Sequence, residues 1–228
     1  MVTLRQSTAS VEGRPAEGGP GTPSPSGWAA RTARTRQALI DASLELFAER
    51  GYDSTTTDEI VERAGVSPRT FFRYFPTKET VVFFGREDFF HSFADLYLAQ
   101  PRAMSDVEAM VASFVALVPT VERIRRRVGL YSRALASSAV LRGREAELKD
   151  EQVHKIAETI ARRAGGPGAT ARSELLASIG DLVMGRSLDR WLREPDDRAN
   201  LTELIVDEFA AVLELFGSRP SSRRRRTR

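Results

Sequence analysis

The sequence predicts an all-α fold, with a small N-terminal helical domain followed by a larger helical one. Three observations carry this. Apolar residues recur at three- and four-residue intervals from Ile40 to Phe216, the period of helices that bury one face. Gly or Pro closes most of these segments, as at Gly51, Gly65, Pro76, Pro101 and Gly165–Gly168. Between residues 57 and 78 two short helices meet across a tight turn.

The first long helix is expected over about Ala30 to Arg50, with Ile40, Leu44 and Phe47 as its core stripe and Gly51 ending it. The second runs from Thr57 to Ala64. Thr57 can cap it, Asp58 and Glu59 complement its positive end, and Ile60, Val61 and Ala64 form its apolar face. Gly65 suits a left-handed helix end. Ser67 then caps a third helix, with Pro68 at its first position, and Pro76 bounds it. Val66, Phe71 and Phe75 can bury together. Pro68, Arg69, Thr70, Phe72, Arg73 and Tyr74 are left on open faces.

Helix, glycine-containing turn and helix form the helix-turn-helix signature, in which the second helix enters a major groove. Arg69 and Arg73 stand four apart and project from one side, suited to guanine edges or phosphates. Thr77 and Lys78 open the next helix, whose free amides attract phosphate.

The run from Arg34 to Lys78 (RTRQALIDASLELFAERGYDSTTTDEIVERAGVSPRTFFRYFPTK) resembles the DNA-binding domain of TetR-family transcriptional regulators. The resemblance implies a three-helix helix-turn-helix DNA-binding domain followed by a larger helical ligand-binding and dimerisation domain. It also implies a homodimer on a palindromic operator, with repression as the default and release by a small hydrophobic ligand. The implied DNA-binding residues are Arg34, Thr56, Thr57, Ser67, Pro68, Arg69, Thr70, Phe72, Arg73, Tyr74 and Lys78. For Thr57, capping serves equally well. One position departs from the family pattern, which has Tyr where this chain has Phe72. A lost hydroxyl–phosphate bond there costs about 0.5–1.5 kcal/mol, while Tyr74 keeps its hydroxyl.

The fourth helix is expected over Lys78 to about Gln100 and is rich in aromatic groups. It links the two domains and is the natural lever for a ligand signal. Further helices are expected over about Ser105 to Pro119, Val121 to Ala136, Arg142 to Ala164, Thr170 to Arg193 and Asn200 to Phe216. The last two are apolar over more than one narrow stripe, which suits pairing with a second copy. In TetR-like proteins such helices form a four-helix bundle across the dimer.

Candidate ligand-lining residues are the larger inward groups Phe93, Met110, Phe114, Leu117, Tyr131, Leu135, Ile179 and Met184, each of which plain core packing also explains. Similarity to the branch that includes the mycofactocin regulator implies a fatty acyl-CoA ligand. The basic cluster Arg123, Arg125, Arg126 and Arg127 would suit a CoA phosphate, or be solvated surface charge.

Composition bounds the alternatives. The 228 residues are 41% hydrophobic and include no cysteine, which excludes disulfides and suits a reducing cytoplasm. No membrane-spanning run or signal-peptide core is evident. Net charge is +3, but residues 218–228 hold six arginines and no acid, so residues 1–217 carry −3. DNA binding therefore rests on the motif and not on the overall charge. The domain organisation reads as a disordered arm over 1–27, a DNA-binding domain over 28–77, the helical domain over 78–217 and a basic tail over 218–228. That tail can attract phosphate or merely solubilise the chain.

An enzyme is the rival class. Its only support is the pair Asp150 and His154, one turn apart, with no H-E-x-x-H motif, phosphate-cradling loop, nucleophile elbow or cofactor fingerprint. A helical adaptor that binds protein is the other alternative. It leaves the Arg69 and Arg73 face unexplained.

Overall fold

A computed structural model of the protein describes residues 25–195 and 200–217, all helix and connecting turns. The expected basic tail, and the expected arm up to residue 24, lie outside the described residues. Ten helices follow one another among the described residues. The first three are α1 (Pro25–Arg50), α2 (Thr57–Ala64) and α3 (Pro68–Tyr74). α1 therefore begins five residues before the expected Ala30.

Local rules explain the first turns. Thr56, not Thr57, caps α2: its hydroxyl accepts from the Glu59 amide while Glu59 accepts from the Thr56 amide at 2.8 Å. Only Thr56 has a glutamate three residues on, so it alone of the threonine run closes this reciprocal box. Gly65 ends the helix at φ 65°, a left-handed conformation that costs a side-chain-bearing residue about 1–3 kcal/mol. Ser67 caps α3, accepting from the Thr70 amide at 3.2 Å.

The expected fourth helix is two. α4 (Lys78–Val82) and α5 (Arg86–Ala99) are separated by Phe83–Gly85, where Gly85 adopts φ 88°. Conversely, α6 (Asp106–Arg123) continues through Pro119, the expected end of that helix. An internal proline costs about 3 kcal/mol. Buried Val118 and Val121 lie on either side of it, each worth about 1.5–3 kcal/mol, and together they offset that cost. α7 (Arg125–Ser137), α8 (Ala139–Arg163), α9 (Ala171–Arg193) and α10 (Leu201–Gly217) complete the body.

Two cores result. One gathers Leu39, Phe47, Ile60, Phe71 and Phe75 with Val81 and Val82 of α4, and it recruits Leu130 and Ala134 of α7 and Leu141 of α8. The other holds Phe93, Met110, Phe114, Trp191, Ile205 and Phe209 from α5, α6, α9 and α10. The body's α7 thus seals the first domain from below. Arg163 at the end of α8 adds a buried pair with Asp106 at 3.0 Å and donates to the carbonyls of Pro101 and Met104, tying down the α5–α6 turn.

Candidate nucleic-acid interface and effector cavity

α3 is held by its buried side and presents the other. Phe71 is fully buried and stacks edge-on with Phe72 and obliquely with Phe75. Pro68, Arg69, Phe72 and Arg73 are exposed, with Thr70 and Tyr74 half-buried beside them. The Arg73 guanidinium lies 5.0 Å from the Tyr74 ring centroid and reaches its hydroxyl at 3.4 Å. Arg34 is exposed on α1. Arg36, half-buried two residues further along the same helix, places its guanidinium over the rings of both Tyr74 and Phe84.

Several of the expected DNA-contacting groups are already engaged within the domain. The Thr56 hydroxyl donates to Glu59 at 2.9 Å, and these bonds from Thr56, reinforced by Arg50, lower the Glu59 pKa. The Ser67 hydroxyl is within 3.0 Å of Thr70 Oγ1. Lys78 is half-buried, and its ammonium donates to the carbonyls of Tyr52 and Thr55, each at 2.8 Å, while facing the Tyr52 ring. Two of its three protons are spent on holding the α1–α2 turn against α4.

Below this domain lies a cavity of about 330 Å³. Its walls are Ile40 and Leu44 of α1, Val81 to Phe84, Phe89, Val121 and Ile124, Val128 and Tyr131 of α7, and Met184 and Leu188 of α9. The polar side is made by Arg86, Arg127, Glu145, Lys149, Gln152 and Asp181. Arg86 pairs with Glu145 at 2.7 Å, and the Tyr131 hydroxyl donates to the same carboxylate oxygen at 2.6 Å. Burial first, then the Glu145 charge, holds the Tyr131 phenol far above its usual pKa. Lys149 pairs with Asp181 at 2.7 Å.

Of the eight expected lining residues, Tyr131 and Met184 face this cavity. Phe93 and Phe114, with Met184 again, border a smaller space of about 30 Å³ next to it. Met110 and Leu117 are buried in the second core, Ile179 packs on that core and Leu135 on the first. None of these four lines either space. The cavity sits at the junction of the two domains, with Ile40, Leu44 and Val81 to Phe84 in its walls beside the two expected residues. The apolar run Val81 to Phe84, directly after the helix-turn-helix, was the available signal.

The basic cluster is partly engaged within the chain, with Arg123 and Arg126 still exposed. Arg126 bonds Glu45 at 2.7 Å and Arg127 pairs with Asp41 at 3.2 Å, joining α7 to α1. Arg125 donates to the carbonyls of Trp191 and Glu194 and lies over the indole. His154, considered with Asp150, lies 3.6 Å from Glu158 instead. Among the described residues no three potential metal ligands come together, and no helix is long and apolar enough to cross a membrane.

Residues 39–83 match the domain described as bacterial regulatory proteins, tetR family. The transcriptional regulator TcmR of Streptomyces glaucescens is 38% identical over 88 residues, 39% of each chain, so the chain spans well under half of that relative. The mycofactocin biosynthesis regulator MftR of Mycobacterium tuberculosis is 27% identical over 80% of this chain and 91% of its own. Thermus thermophilus FadR, a TetR-family repressor solved with lauroyl-CoA, superposes with a TM-score of 0.51 at 26% identity, covering 78% of this chain and 93% of that one. With an all-helical body beneath the exposed face of α3, the chain carries a DNA-binding domain of the tetR family over residues 39–83 and is similar along most of its length to regulators of that family.

Proposed function

We propose that the protein is a repressor that binds a palindromic operator as a twofold dimer and leaves it when a small hydrophobic molecule fills the junctional cavity. The observation that carries this is the position of the cavity. Phe84 lines it, stacks edge-on with Phe75 at the foot of α3, and shares the Arg36 guanidinium with Tyr74. A ligand pressing on Phe84 acts within two contacts of the DNA-reading face.

Arg69 is the proposed base reader, with Pro68, Thr70 and Arg73 beside it. Arg34, Thr56, Thr57, Ser67, Phe72, Arg73, Tyr74 and Lys78 are proposed to set the register against the backbone. Dimerisation is supported by α9 and α10, which leave Leu175, Leu182, Val206 and Leu213 exposed at helical spacing. FadR's lauroyl-CoA supports a ligand with an apolar chain. An acyl-CoA would have to place its phosphates away from Arg125 to Arg127, whose bonds are already made.

Selection of bound fragments from random DNA, followed by footprinting, tests the reading. A protected palindrome with half-sites about 34–36 Å apart, or a multiple of that, is expected. Bound fragments sharing no sequence would refute it.

A further inference from the structure

Among the buried polar atoms of the cavity lining, one has no partner. Arg86 gives an Nη to Glu145, yet its Nε–H is buried with no acceptor. An unsatisfied buried donor is costly, and it gains most from an acceptor brought by something else. The other charges at this end are already matched: Glu145 by Arg86 and Tyr131, Asp181 by Lys149, and Arg127 by Asp41. An anion accepting from this Nε–H would be repelled by the Glu145 and Asp181 carboxylates, with the neighbouring cations already paired. A neutral acceptor meets no such repulsion.

We infer that the cavity selects an uncharged carbonyl group on an apolar chain, whose oxygen accepts from Nε of Arg86, and that it discriminates against the corresponding free acid. This rests on the ligand reading above and specifies its chemistry. The carbonyl can belong to a free ester or ketone, or to the thioester of an acyl-CoA.

Calorimetric titration of the full chain with methyl octanoate, octanoate and lauroyl-CoA tests it. Satisfying a buried donor predicts that wild type binds the ester, or the thioester, about tenfold or more tightly than octanoate. Arg86→Lys retains a cation for Glu145 but has no Nε–H at that point, so it should lose most of that preference. Glu145→Gln removes the repelling charge and should strengthen octanoate binding, narrowing the preference for the ester. It serves where Arg86→Lys fails to fold. Ester binding without lauroyl-CoA identifies free carbonyl compounds, and the reverse identifies the thioester. Octanoate binding as tightly as the ester, or a preference untouched by either substitution, overturns the inference and leaves the ligand site standing. Failure of all three probes to bind wild type removes both.

Discussion

Lys78 at the start of α4 donates to the backbone carbonyl of Tyr52, 26 residues earlier, at 2.8 Å, and its ammonium lies 4.2 Å from that residue's ring centroid. A second bond, to the Thr55 carbonyl, completes a clamp across the turn between α1 and α2. Lys78→Met keeps the apolar stem and removes both charge-assisted bonds, so stability should fall by about 2 kcal/mol. Urea unfolding measures this. If melting is unchanged and only the salt dependence of DNA binding falls, by a slope of about one, Lys78 is purely a phosphate contact.

Arg69 and Arg73 differ in what their loss removes. Arg69 is exposed, so Arg69→Ala should leave stability within about 0.5 kcal/mol. It should weaken binding to the selected operator by about 1–3 kcal/mol and relax preference at one base pair. Arg73 rests on Tyr74, and its removal frees that hydroxyl as well. Binding to selected and random DNA should then weaken alike. Mobility shifts on both DNAs separate the two, and identical profiles would exchange or dissolve these roles.

Two helical glycines should respond in opposite directions to alanine. At Gly143 of α8 an added Cβ meets nothing within 4 Å, so the helix should gain about 0.5–1 kcal/mol. At Gly180 of α9 the Cβ would stand 2.5 Å from Met110 Sδ and 3.4 Å from the Phe114 ring, both buried. That overpacking should cost about 1–3 kcal/mol and outweigh the helical gain. Thermal melting of the two variants checks the packing of α9 on α6, and two shifts of the same sign would contradict it.

What the sequence reveals follows the range of the interactions. Gly65, Ser67 and Pro68 each act on their own turn of chain, and the turn between α2 and α3 was legible from them alone. The Thr56 cap was legible too, had the glutamate three residues on been weighed above the choice among three threonines. Pro119 misled because its cost is local while its compensation, the burial of Val118 and Val121, is tertiary. The break at Gly85 was hidden because apolar residues resume on both sides of it, at Val81 to Phe84 and at Phe89 and Phe90. The cavity was least legible, because its walls come from α1, α4, α7 and α9, and no single segment records that they meet.

Glu208 of α10 accepts from Arg186 Nε at 2.7 Å and Arg190 Nη1 at 3.0 Å, pinning α10 to α9. The Arg186 hydrogen bond, ahead of the desolvation that opposes it, lowers the Glu208 pKa from 4.5. A depressed folded-state value means the stabilisation is present above 4.5 and is lost as pH falls through the lower folded value. Glu208→Gln should therefore be less stable than wild type near neutrality, and the gap should close below that window. Urea midpoints across the acid range measure it. A gap that stays constant with pH would mean that the carboxylate's charge contributes nothing.

Leu182 on α9 is 55% exposed, and Leu175, one heptad earlier on the same face, is 66% exposed. α10 repeats the pattern with Val206 and Leu213, also seven apart. Side chains of this size gain about 1.5–3 kcal/mol each on burial, so covering both stripes with their copies is the natural use of these faces. Leu182→Glu places a charge in that seam while touching little within one chain. Monomer stability should move by no more than about 0.5 kcal/mol, while sedimentation should shift from dimer to monomer and operator affinity should fall. The loss should be far smaller on a single half-site, where the second copy adds no contacts. A variant that sediments as a dimer with full operator affinity would place the interface elsewhere.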